Sequence, residues 1–185
     1  MHRVIGAGAA TLAALAGVAA IVVASASAAA PEGGKIELYA SADNSGSKHV
    51  VLVGAIGDYG KAANVNKNGK PNPNGNFVRV KLQKGTFMLD STELNKAINA
   101  QTQPQVESHT TCSAAVSGSG PVTFLNGTGL YKGISGTANL TITYGGVGGR
   151  YKSGPKKGQC KQGNVMNPRA SFGFVTGQGT VSFAA

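Results

Sequence analysis

Few side chains in this chain could do chemistry, and their spacing limits which chemistry. Seven carboxylates are spread over 185 residues. Asp90 and Glu93 stand three apart ahead of Leu94, Ala97 and Ile98, which is the pattern of a helix start, with Asp90 as the capping residue. Asp58 is different. It closes the run "HVVLVGAIGD", which begins at His49, is apolar on both parities and predicts a strand covered on two sides. Asp58 shares parity with Val50, Leu52 and Ile56. If that parity faces an interior, burial raises the Asp58 pKa and makes it an acid or base at the mouth of a cavity. Asp58 and its neighbour Tyr59 are therefore the candidate catalytic residues. The plainer reading, in which Asp58 only starts the turn "GDYG", is preferred.

The remaining reactive groups form no familiar constellation. His49 and His109 are isolated, too few for a zinc site, and no Gly-x-Ser-x-Gly nucleophile motif is present, so neither metal nor cofactor is expected. Cys112 and Cys160 are the only cysteines. A reactive thiol would need an activating neighbour, whereas two cysteines in an exported chain predict a disulfide. The formal net charge is +10. "GGRYKSGPKKGQCKQGN" gathers Arg150, Lys152, Lys156, Lys157 and Lys161 without an acid, a candidate anion-binding patch for an envelope polymer. No nucleic-acid motif accompanies that charge, and none is expected to bind. The absence of tryptophan argues against avidin-like and lipocalin-like pockets.

The chain opens with a leader. Arg3 precedes an apolar, alanine-rich run from Val4 to Val23, and "ASASAAAPE" then offers small residues at alternate positions. Residues 1–28 read as a signal peptide cleaved after Ala28, and 29–185 as one secreted domain of about 155 residues. The expected location is extracellular, at a bacterial cell surface, with no membrane span after cleavage.

Positioning falls to strands. "KIELYASA", "FVRVKL", "SHTTCSAAVS" and "TANLTITY" alternate apolar and polar residues, and "PVTFL" and "SFGFVTGQGTVSF" complete seven or eight strands. In "SHTTCSAAVS", Cys112, Ala114 and Val116 share the apolar face. The fold class is all-β, with one short helix covering an end of the β structure. "YGKAANVNKNGKPNPNGN", Tyr59 to Asn76, reads as a long, mobile excursion.

The segment "GTGLYKGISG" carries Gly127, Gly129, Gly133 and Gly136 around Tyr131 and Ile134. A strand follows it, not a helix, which rules out a phosphate-binding loop. A tight crossover is expected, with Tyr131 and Ile134 plugging the end of a sheet.

This segment resembles the Gly-x-Gly-x-aromatic-x-Gly-x-x-Gly motif of the allene oxide cyclase and dirigent barrel superfamily, closest to small secreted actinobacterial proteins. "GQGTVSF" is similar to their closing strand, and "TCS" with "GQC" to their cysteine pair. The resemblance covers the second half of the chain. It implies a closed antiparallel barrel of about eight strands, which would also leave no sheet edge exposed, with a β-sandwich as the alternative; the plant members are often trimeric, so a homo-oligomer is one expectation. The acidic and polar lumenal residues of the plant enzymes have no matches here. Three functions follow: a secreted, non-enzymatic barrel binding an envelope polymer or small apolar ligand; a cyclase-like protein acting in the lumen; or an inhibitor using the 59–76 segment.

Overall fold

The computed structural model describes residues 32–41, 48–100, 106–161 and 168–184. The expected leader, residues 1–28, lies outside them. Alternating sequence becomes strand almost everywhere: β1 Gly34–Ser41, β2 Lys48–Gly54, β3 Asp58–Val65, β4 Phe77–Leu82, β5 Gly85–Asp90, β6 Val106–Ser108, β7 Ser113–Gly129, β8 Ser135–Val147 and β9 Ala170–Ser182. The single helix among the described residues, α1, spans Thr92–Asn99. All pairings are antiparallel, in the order β5-β4-β3-β2-β1-β9-β8-β7-β6, and β5 also pairs with β7. That last pairing closes eight strands into a ring and leaves the short β6 outside it. Closure removes the free edges that an open sheet would expose, and the fold is the closed barrel rather than the alternative sandwich.

The inward parity fills the interior. Ile36, Leu38, Val50, Leu52, Val80, Leu82, Phe87, Leu89, Val122, Phe124, Ala138 and Leu140 are buried in one cluster. Phe87 sits at its centre, with ring centroids of Phe124 and Tyr131 at 5.4 and 5.6 Å. Closure also corrects the reading of "HVVLVGAIGD". Val50, Leu52, Ile56 and Asp58 are buried on one parity; Val51 and Val53, at 46% and 42% exposure, lie on the outer wall. The run is also broken, since β2 ends at Gly54, and Asp58 begins β3 rather than ending the same strand.

Two other boundaries differ from the sequence reading. The segment from Tyr59 is not one excursion, because its first half continues β3 to Val65. Residues 66–76 then fold on themselves: the Asn66 carboxamide oxygen accepts from the amides of Asn68 and Lys70, and the Arg79 guanidinium donates to the Gly69 carbonyl. At the front of α1 the N-cap is Ser91, not Asp90. The Ser91 hydroxyl donates to the Asn76 carbonyl at 2.8 Å, while Asp90 accepts from the amide and hydroxyl of Thr92. Asp90 thus orders the first turn from one residue further out.

The helix lies across β7. Its buried Leu94 rests where Gly120 leaves room, since a Cβ on Gly120 would stand 2.8 Å from the Leu94 Cα. At this end the long strands run on past the ring. "PVTFL" is part of the same 17-residue strand as "SAAVS", and β7, β8 and β9 carry β6 and the basic segment beyond α1.

Candidate functional site: a plugged barrel with a basic hairpin

The glycine-rich crossover closes the opposite end. Tyr131 and Ile134 turn inward and are 1% and 5% exposed. The turn is hydrogen-bonded from Tyr131 N to Thr128 O and from Ile134 N to Tyr131 O. Gly129 and Gly133 have φ of +60° and +72°, a region in which a Cβ is strained. Gly127 packs directly against the Tyr131 backbone, so no side chain fits there. Asn126, φ +56°, sits where the β5–β7 register shifts between Thr86 and Met88, just ahead of the plug.

Asp58 meets this plug. The Tyr131 hydroxyl donates to Asp58 Oδ2 at 2.5 Å, and the amides of Lys84 and Tyr59 donate to the carboxylate at 3.0 and 2.7 Å. Burial by itself pushes the Asp58 pKa up. The hydrogen bonds from Tyr131 and from the amides of Lys84, Tyr59 and Gln83 outweigh it, and the net direction is down. Burial, with the same hydrogen bond and the nearby negative charge, pushes Tyr131 strongly up. This corrects the expectation of a raised Asp58. The group is an ionised acceptor, held by donors that tie the crossover to β3. Tyr59 takes no part through its side chain, which points outward at 61% exposure. The two catalytic candidates are not brought together, and the partner that Asp58 does have lies 73 residues away.

Beneath α1 the lumen is not completely filled. A cavity of about 90 Å³ is lined by apolar residues including Leu38, Val80, Val122 and Leu140, together with the polar Asn64, Ser91 and Asn95. Lys48 also lines it and donates to Asn64 Oδ1 at 3.3 Å. Nothing in the sequence marks these polar residues as neighbours, because Lys48, Asn64 and Asn95 come from three separate elements.

The basic segment is a built structure. Cys112 and Cys160 form a disulfide with Cα atoms 5.3 Å apart. Cys112 belongs to the 109–112 turn, with φ +56°, rather than to the strand face expected for it, since β7 starts at Ser113. Residues 150–160 fold as a hairpin: Arg150 bridges to Cys160, Tyr151 N donates to Gln159 O, and Gly158 N donates to Tyr151 O. Lys152, Lys156, Lys157 and Lys161 are exposed on it. Arg150 is differently employed. Its guanidinium donates to the carbonyls of Gly158, at 2.5 Å, and of Thr110, so it secures the hairpin. Tyr151, which the sequence reading passed over, organises the charges: the ammonium groups of Lys156 and Lys161 each lie 6.0 Å from its ring centroid. His109 Nε2 nearby lies 3.8 Å from Glu107 Oε1, and its side chain is open to solvent. No group of three or more potential metal ligands occurs among the described residues.

The fold and these sites define the chain as a closed, eight-stranded antiparallel barrel, plugged at one end by Tyr131 and capped at the other by α1. Comparison with known proteins adds no relative: no family model, curated protein or solved structure matches the chain.

Proposed function

We propose that this protein is an exported, non-enzymatic binding barrel that holds an anionic envelope polymer on its basic hairpin. The observation that carries this reading is the exposed set Lys152, Lys156, Lys157 and Lys161, mounted on a disulfide-pinned, hydrogen-bonded hairpin with no acid in it. A polyanion meets cations whose backbone is already ordered, which lowers the entropic cost of binding. Asp58 supports the same conclusion, because its bonds to the Tyr131 plug leave it a structural part. A secreted barrel is also what the superfamily resemblance implies.

The test is retention on immobilised polyphosphate. The wild type should bind at low ionic strength and elute steeply as salt rises. The double variant Lys156→Glu/Lys157→Glu should elute much earlier. Lys67→Glu/Lys81→Glu changes the net charge equally but away from the hairpin, and should elute close to the wild type. Equal shifts from both pairs would sink the assignment.

A second reading is favoured by the cavity beneath α1, whose apolar wall and few polar groups suit a small apolar ligand or a lumenal reaction. Its size is well under the roughly 300–1,000 Å³ of ordinary small-molecule pockets, which confines it to compact ligands unless α1 lifts. The inhibitor reading draws less support, since β3 takes the first half of the segment it relied on.

A further inference from the structure

The outer wall of the barrel carries a different kind of surface, remote from both lumen and hairpin chemistry. Two adjoining grooves, of about 560 and 370 Å³, run over β1, β9, β8 and β7. Both are lined by Glu37, Gln178 and Asn139, which the strand register sets side by side in one row. The row on one side of it is Thr180–Thr137; the row on the other is Tyr39–Thr176–Thr141.

The depression has a cause in the sequence. Gly177 and Gly179 share the inward parity of buried Val175 and Val181. A Cβ on Gly177 would stand 2.5 Å from the Asn139 carbonyl oxygen of β8, and one on Gly179 would lie closer still to the Thr137 carbonyl oxygen. Without side chains there, β9 can crease inward against β8 and leave a trough outside.

The chemistry of the trough is specific in kind. Two carboxamides and four threonine hydroxyls each both donate and accept, and Glu37 accepts. Tyr39 offers a half-exposed ring, held in place because its hydroxyl donates to Glu37 Oε2 at 2.6 Å. The charges of Lys35 and Glu37 at this face offset each other, unlike the hairpin, where only cations stand. Three rows two residues apart span roughly 13 Å along the strands, long enough for more than one sugar ring. We propose that this face binds a neutral polysaccharide chain, whose hydroxyls meet the amide and threonine rows and whose apolar ring face meets Tyr39. The proposal is independent of anion binding at the hairpin.

Sedimentation with insoluble cellulose, chitin and starch tests it. The wild type should be depleted by at least one of these, equally at low and high salt. Asn139→Ala/Gln178→Ala and, separately, Tyr39→Ala should each weaken that binding by about tenfold or more, with unchanged thermal unfolding. Lys156→Glu/Lys157→Glu should bind as the wild type does. Failure to bind all three polysaccharides would overturn the proposal. So would binding that survives both groove changes, or binding that high salt abolishes, which would return the interaction to the hairpin.

Discussion

At the scale of single residues, the Asp58–Tyr131 pair shows how a candidate acid becomes a structural part. Its carboxylate is buried among the Tyr131 hydroxyl and the backbone amides of Lys84, Tyr59 and Gln83, so the charged form is the one the fold stabilises. Tyr131→Phe removes the strongest of these donors and leaves a buried charge less well satisfied. It should cost about 2 kcal/mol of unfolding free energy, read from denaturant midpoints at neutral pH. The signs with pH follow from the directions of the two shifts. Asp58 is held below its ordinary value, so its contribution is present above about pH 4 and is lost as pH falls through the folded-state pKa. Tyr131 is held above its ordinary value, so its contribution is full below about pH 10 and declines above it as the unfolded chain ionises. Asp58→Asn should therefore flatten the acid limb of a stability–pH profile, and Tyr131→Phe the alkaline limb. Unaltered limbs would show that the pair does not couple to folding. The sequence did single out Asp58 and Tyr131, but separately, because nothing in one strand's periodicity names the residue it meets across a barrel mouth.

At the scale of elements, α1 is a short helix whose single fully buried side chain decides its position. A helix of this length does not persist alone, so Leu94 packed on β7 over Gly120 is what keeps it on the barrel. Leu94→Ala should lower stability by about 2–5 kcal/mol and enlarge the cavity beneath the helix. A shift of denaturant midpoint with unchanged slope is the expected signature; no shift would mean that the helix does not rest on this contact. The helix itself was legible from Leu94, Ala97 and Ile98 at helical spacing. Its cap was not, because the choice between Asp90 and Ser91 depends on the Asn76 carbonyl, which arrives from a distant loop. The hairpin teaches the same lesson: its charge was plain in sequence, whereas the diversion of Arg150 to two backbone carbonyls came from the fold.

At the scale of the whole molecule, closure of the ring and the disulfide stabilise different things. The eight-strand ring is complete through β5–β7, and the Cys112–Cys160 bridge ties the projecting hairpin to the start of β7 outside that pairing. Closing a 48-residue separation contributes about 4 kcal/mol on the chain-entropy estimate. Cys112→Ser/Cys160→Ser should thus lower the melting temperature by roughly 10 °C while keeping the β-sheet circular dichroism spectrum. Loss of that spectrum at room temperature would mean that the ring depends on the bridge. The same change should weaken polyanion retention, because the hairpin that presents Lys156 and Lys157 loses its anchor.

Alternation of apolar and polar residues determined by itself that this is a β protein with one wet and one dry face, and the glycines around Tyr131 determined where the chain must turn tightly. Both are local facts: side chains in a strand point alternately to opposite faces, and a left-handed backbone favours glycine because a Cβ is strained there, whatever the rest of the chain does. Which face of "HVVLVG" met water, which donors reached Asp58, and which outward residues lined up as Glu37, Gln178 and Asn139 were decided only by tertiary structure. Register and closure bring together residues far apart in sequence, and no single segment contains the information about its neighbour.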